Sequence, residues 1–271
     1  MPELPEVEIT CRGIAPHVQG RRVAAVVVRN GHLRRPVPAR LQRELPGQVI
    51  DAVRRRGKYL LLETRQGTVI IHLGMSGSLR LVPCGQPPEK HDHVEFRFPQ
   101  GRCLRLRDPR RFGLVLWTRR DPLQHPLLRD LGPEPLGSAF NGDYLYDRSR
   151  GRRVAVKPFI MDGRIVVGVG NIYASEALFR AAIHPLRPAG RISRERYRRL
   201  AQEIRAVLKE AIAAGGSTLR DFTDSEGRPG YFGRRLLVYG RAGQPCPRCG
   251  AALRQIRQGQ RATYYCGRCQ H

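Results

Sequence analysis

The chain has 271 residues, 41% of them hydrophobic, and a formal net charge of +26 from 49 basic against 23 acidic side chains. Its purely apolar runs, such as residues 23–28 and 60–62, fall far short of the ~20 residues a membrane helix needs, and the start lacks the charged-then-apolar layout of a signal peptide; the expectation is a cytoplasmic chain with no membrane partner. A field this basic gathers polyanions, and no basic amphipathic helix with an aromatic face is evident, so nucleic acid is preferred to an anionic lipid surface.

Arginine-rich codon bias would account for Arg over Lys, but not for the scarcity of acids. There are only four lysines, at 58, 90, 157 and 209.

In chain order, Val7, Cys11, Ile14 and Val18 recur at helical spacing and predict a helix over 6–18. The period then shortens. Strand-like runs at 23–29, 49–53, 59–63, 68–73, 78–82, 93–98, 102–107 and 114–118 are punctuated by Gly and Pro, the pattern of a β-sandwich or barrel. Residues 119–137, rich in Pro, Gly and charge, read as a linker. Helical periods return at 171–182 and, more strongly, at 193–213. There Tyr197, Leu200, Ile204, Val207, Leu208 and Ala211 share a face, with Ser193 as N-cap and Gly215–Gly216 as stop.

The chain ends in Cys246-x2-Cys249-x16-Cys266-x2-Cys269, the spacing of a four-thiolate zinc site with no open position, hence one structural Zn2+. Between the pairs, 253–257 and 261–265 read as a hairpin around 258–260. Residues 246–271 carry five arginines and no acid, which suits a nucleic-acid contact. Cys11, Cys84 and Cys103 are expected to be ordinary thiols.

The opening Pro2–Glu3–Leu4–Pro5–Glu6 is open to two readings. One is an acidic helix start with Pro in its first turn. The other begins with removal of Met1, which exposes the secondary amine of Pro2. An α-amino group titrates near ~8, well below lysine at ~10.4, so a useful fraction is neutral and nucleophilic at pH 7. Glu3 would then stand beside it as a general acid or base.

These opening residues resemble those of bacterial formamidopyrimidine-DNA glycosylases. So do Lys58–Tyr59–Leu60, His72–Leu73–Gly74–Met75–Ser76–Gly77, His91–Asp92–His93, Asp108–Pro109–Arg110–Arg111–Phe112–Gly113, Val167–Gly168–Val169–Gly170–Asn171–Ile172–Tyr173 and Gln260–Arg261–Ala262–Thr263. The matches run in order through nearly the whole chain. The resemblance implies an α+β multidomain protein: a β-sandwich with flanking helix (1–118), a linker (119–137), a helix–two-turns–helix domain (138–236) and a zinc-bearing β-hairpin (237–271), with duplex DNA in the cleft between them. It implies a monomeric bifunctional glycosylase and lyase acting on oxidised purines and abasic sites, with no catalytic metal or organic cofactor.

Under that resemblance Pro2, Glu3, Lys58 and Arg261 are the catalytic residues. His91, Arg110, Arg153, Lys157 and Asn171 match DNA-contacting positions, and Asn171 also suits a helix N-cap. Met75 and Phe112 match the wedges that, with Arg110, fill the space of the flipped nucleotide; core packing is the alternative, although the glycines beside them favour exposed turns. Residues 217–233 match a loop over the flipped base. Arg148, Arg150 and Arg152 read as surplus solvated charge. Two rivals are kept: an endonuclease VIII-like enzyme for oxidised pyrimidines, separable by turnover on thymine glycol, and a non-catalytic zinc-finger DNA-binding protein, separable by borohydride trapping.

Overall fold

A computed structural model describes residues 2–99, 101–217 and 231–271. The chain divides into two compact units, Met1–Arg129 with Ala214–Tyr231, and Asp130–Ala213 with Phe232–His271.

In the first unit, helix α1 (Leu4–Val18) is followed by β1 (Ala25–Val28), a short helix α2 (Ala39–Glu44), β2 (Ala52–Arg56), β3 (Tyr59–Thr64), β4 (Gly67–His72), β5 (Ser78–Pro83), β6 (Asp92–Arg97), β7 (Arg102–Arg107) and β8 (Leu114–Thr118). The strands form two antiparallel sheets ordered β1-β6-β7-β5 and β2-β3-β4-β8. Alternate residues of both sheets meet in one core. Phe96, Leu104 and Leu106 come from the first, Leu60, Leu62, Val69, Ile71 and Trp117 from the second, and Val7, Ile14 and Val18 from α1. Two sheets facing one core make a sandwich, not a barrel. Truncating a fully buried residue such as Ile71 to Ala would cost ~2–5 kcal/mol. Helix α2 gave no sequence signal because only Leu41 of its six residues is buried.

Cys84 and Cys103 are not ordinary thiols; they are joined in a disulfide. Strands β5 and β7 are neighbours although β6 lies between them in sequence. That pairing brings together two cysteines whose spacing gives no hint of contact. Cys11 is free and buried, and burial, with the Glu8 carboxylate nearby, pushes its thiol up to about 11.

The second unit contains α3 (Gly142–Ser149), α4 (Val156–Met161), α5 (Asn171–Arg180), α6 (Arg194–Ala213) and the hairpin β9 (Arg254–Gln258) and β10 (Arg261–Tyr265). Helices α3 and α6 touch backbone to backbone: a Cβ on Gly142 would come within 2.2 Å of the Arg198 Cα. The Ser193 hydroxyl accepts the Arg196 amide and caps α6 as expected. Helix α5 differs from expectation. Gly170 occupies its N-cap, and Asn171 is its first helical residue. Helices α3 and α4 are too short to show an apolar period. Among the described residues, no helix is long and apolar enough to cross a membrane.

Candidate active site and nucleic-acid interface

The N-terminus is an acidic helix start, as the first of its two readings expects. Glu3 is the N-cap of α1 and forms a capping box with Glu6: its side chain accepts the Glu6 amide, and Glu6 Oε2 accepts the Glu3 amide at 2.8 Å. Pro2, Glu3 and Glu6 are buried. Glu6 Oε1 accepts the Ser217 amide at 2.8 Å and its hydroxyl at 2.9 Å. Gly216, at φ +83°, packs so closely that a Cβ there would lie 3.3 Å from that oxygen. Glu6 thus links the α1 start to Ser217, a contact that the sequence reading passed over; the Glu3-x-x-Glu6 capping spacing was its signal.

Helix α1 lies along β2. Glu8 pairs with Arg55 at 2.6 Å, and the Cys11 thiol donates to the Val53 carbonyl at 3.7 Å. Helix numbers rise as strand numbers fall, so the two run antiparallel. The α1 start, with Pro2 and Glu3, points toward the two-residue turn Gly57–Lys58 that joins β2 to β3. Gly57 has φ +58°, as such a hairpin turn requires.

Beyond Lys58, the Tyr59 and His72 rings pack 4.9 Å apart across β3 and β4. Burial first, then the charges of Lys58 and Arg34, hold the His72 imidazole down to about 4. It is therefore neutral at pH 7, and its Nδ1 accepts the Gly74 amide at 2.9 Å.

Gly74 opens the turn bearing Met75. A Cβ there would lie 2.4 Å from the Gly113 nitrogen, so this turn and the 108–113 turn pack backbone on backbone. Asp108, fully buried, ties them together. Its Oδ1 accepts the Ser76 hydroxyl at 3.1 Å and its Oδ2 the Gly113 amide at 2.7 Å. Between them Arg111 holds a left-handed φ of +56°. Met75 is 37% and Phe112 45% exposed, with the Arg110 guanidinium 4.8 Å over the Phe112 ring. Both apolar side chains face solvent, so core packing does not account for them. The His91 carbonyl accepts the Asp108 amide at 3.0 Å, joining the His91 loop to the same rim.

In the second unit, Lys157 is 1% exposed, and its Nζ donates to Asn171 Oδ1 at 2.7 Å, Thr263 Oγ1 at 2.8 Å and the Ala262 carbonyl at 3.2 Å. Asn171 Nδ2 donates to the Ala262 carbonyl and to the Tyr239 hydroxyl. Lys157, Asn171, Gln260 and Arg261 line a cavity of about 330 Å³. Arg261 is exposed and pairs with Gln258 across a two-residue turn, Gly259–Gln260, one residue shorter than expected. Tyr239 was missed by the sequence reading. The buried Glu176 carboxylate fixes it by accepting the amides of Leu237, Val238 and Tyr239, each at 2.9 Å. Arg153 is exposed in the segment before α4 and is not among the residues lining that cavity. Arg150 is not merely solvated: it stacks 3.9 Å over Tyr146 and donates to the Ile192 carbonyl. Most of the 217–233 segment lies outside the described residues.

The four C-terminal sulfurs lie within 4.8 Å of one another, with Cys246–Cys269 at 3.9 Å and Cys249–Cys266 at 3.6 Å. A tetrahedral zinc with ~2.3 Å bonds sets its sulfurs about 3.8 Å apart, so the donor set fits that ion. Cys246 and Cys266 also belong to a small core with Phe179, Val238 and Leu253. The zinc module thus packs on the end of α5.

Comparison with known proteins gives three family matches: the formamidopyrimidine-DNA glycosylase N-terminal domain over residues 1–115, the H2TH domain of that glycosylase over 131–223, and the zinc finger found in FPG and IleRS over 243–271. A formamidopyrimidine-DNA glycosylase of Alkalilimnicola ehrlichii is 62% identical over 276 residues, covering both chains fully. Among solved structures, the MutM (FPG) protein from Thermus thermophilus is similar with TM-score 0.89 and 40% identity, over 99% of this chain and 98% of that one. The Lactococcus lactis Fpg in complex with abasic-site DNA is similar with TM-score 0.91 and 33% identity, over 99% of each.

Proposed function

This chain belongs to the formamidopyrimidine-DNA glycosylase family, and from that membership we propose how its own residues remove an oxidised purine and cut the strand. It is a DNA-repair glycosylase for oxidised purines that also acts as a lyase, and its partner is duplex DNA bearing the lesion or an abasic site. It works as a monomer, on the nucleoid DNA of the bacterial cytoplasm.

The lesion nucleotide leaves the stack because its sugar carbon is shielded within the duplex. The exposed Met75 and Phe112, with the Arg110 guanidinium, are suited to fill the gap. Pro2 nitrogen, freed of Met1, attacks C1′; the C1′–N9 bond breaks and the base departs with a proton. Glu3 supplies and recovers protons as the sugar ring opens at O4′, leaving an iminium on Pro2. The iminium acidifies the C2′ proton. Loss of that proton breaks the C3′–O bond, and a second elimination breaks C5′–O. Lys58 acts at the phosphate and in elimination, and Arg261 holds a phosphate for the last step. His91, Arg153, Lys157 and Asn171 contact the DNA backbone. The work divides among residues 1–118, 138–236 and 237–271. One zinc, held by Cys246, Cys249, Cys266 and Cys269, keeps the hairpin folded and takes no part in the chemistry.

The capping box carries this reading. It fixes Pro2 and Glu3 at a buried helix start that points toward the Lys58 turn. The test is borohydride trapping on an 8-oxoguanine duplex followed by peptide mapping. The adduct is expected on the peptide beginning at Pro2; folded, DNA-binding protein that gives no adduct, or one elsewhere, would overturn it.

A further inference from the structure

The Cys84–Cys103 bond lies outside the catalytic residues. Cys84 follows β5 directly, and its Cα is 5.1 Å from that of Cys103 on β7, where Cys103 faces Val82. Cys103 is fully buried, whereas Cys84 is half-buried.

Cys84 also opens the loop 84–91, whose residues 85–90 are exposed and which ends in Lys90 and His91. The loop is held at three places. In its middle the buried Arg105 guanidinium, paired with Glu95 and Asp92, donates to the Gln86 and Pro87 carbonyls. At its end Glu89 and Asp92 exchange hydrogen bonds, Glu89 N–H to Asp92 Oδ2 and Asp92 N–H to the Glu89 carbonyl. At its start stand the disulfide and the Cys84 amide on the Gly101 carbonyl.

The backbone ladder between β5 and β7 runs to the Pro83–Arg102 pair beside the two cysteines, so strand pairing as well as the bond holds them near each other. The bond can therefore be made and broken without unfolding the sandwich. The zinc cluster, in contrast, needs four reduced thiolates in the same chain. Conditions that load the zinc are conditions in which an accessible disulfide cycles.

We propose that Cys84 and Cys103 form a reversible redox-modification site whose disulfide stiffens the His91 loop for the DNA backbone. A hydroperoxide is the oxidant. The Cys84 thiolate attacks the peroxide O–O bond, giving a sulfenic acid and releasing the second oxygen as water or alcohol. Cys103 sulfur then attacks Cys84 sulfur, the S–S bond forms and water leaves. Two thiols are oxidised and one peroxide is reduced. A dithiol reverses the step. The effect on DNA rests on the reading of His91 as a backbone contact.

The zinc-loaded full chain is equilibrated in glutathione buffers of graded potential. The pair is followed by differential alkylation and peptide mass, zinc release by a chromogenic chelator, and affinity for an abasic-analogue duplex by anisotropy. With zinc retained, the oxidised form is expected to bind about 3- to 10-fold tighter than the reduced form, the worth of roughly one backbone contact. The Cys84→Ser/Cys103→Ser variant is expected to bind like the reduced form, to ignore the buffer and to cut saturating abasic duplex normally. Failure of the pair to oxidise before zinc is lost, or equal affinity of the two forms, would overturn the proposal. If His91→Ala binds as tightly as the parent while the redox step still changes affinity, the modification stands and the His91 reading alone falls.

Discussion

Glu6 Oε1 accepts two hydrogen bonds from Ser217, one from its amide and one from its hydroxyl, while Glu6 Oε2 holds the amide of Glu3. One buried carboxylate thus ties the proposed nucleophile's helix start to the residue that precedes the 218–230 segment.

Glu6→Gln keeps the shape but removes the charge and puts an N–H donor where one oxygen accepted. Charge-assisted hydrogen bonds contribute ~1.5–3 kcal/mol, so the expected loss in single-turnover excision is about 10- to 100-fold. Duplex affinity should change little. Excision and trapping at the parental rate would show that the clamp does not position Pro2 and Glu3.

Gly74 sets the Met75 turn against the 108–113 turn. Gly74→Ala places a Cβ 2.4 Å from the Gly113 nitrogen at a φ of +65°. Neither turn can yield cheaply, since Asp108 pins both. The expected cost is ~2 kcal/mol or more of stability, read as a lowered Tm. Excision of 8-oxoguanine should suffer more than cleavage of a preformed abasic site, which requires no base removal. Equal losses on the two substrates would argue against a wedge role for Met75 and Phe112.

Much of this layout was legible in the sequence. The strand-like runs overlap all eight strands of the sandwich, 49–53 reaching only the first two residues of β2, and β7 and β8 fall where the pattern put them. The four C-terminal cysteines announced themselves by spacing. The Cys84–Cys103 bond did not, because it depends on β5 pairing with a strand two elements away. Helices α3 and α4 were silent because six to eight residues complete too few turns to show a period. Glu6 could have been found from its capping spacing to Glu3, whereas Glu176 and Tyr239 are tied into the structure by hydrogen bonds across long sequence separations, which no local pattern records.

His72 gives the protein an acid limit. Burial, then Lys58 and Arg34, lower its pKa from 6.5 to about 4, so the unfolded chain binds a proton more readily than the folded one. This contribution to stability is fully present above pH 6.5 and is lost as pH falls from 6.5 toward 4. A shift of this size corresponds to at most ~3 kcal/mol. Protonation would also turn Nδ1 into a donor facing the Gly74 amide, releasing the Met75 turn. His72→Gln should flatten the pH dependence of Tm between pH 4 and 6.5; a slope unchanged in that variant would assign the acid limit to other groups.

Lys157 is a buried ammonium that donates to three neutral groups, Asn171, Thr263 and the Ala262 carbonyl. It lines the cavity beside Arg261. Lys157→Met keeps much of the volume but removes the donor from Asn171 Oδ1 and Thr263 Oγ1, while the Ala262 carbonyl keeps the Asn171 amide, a cost of ~1–3 kcal/mol. Two effects should separate. The hairpin should become easier to unfold, visible as faster amide exchange at Ala262 and Thr263 with the sandwich unchanged. Duplex binding should weaken, and the slope of log affinity against log salt should fall by about one unit if Lys157 neutralises one phosphate. Weakened binding with an unchanged salt slope would make Lys157 a support for the hairpin and remove it from the DNA contacts.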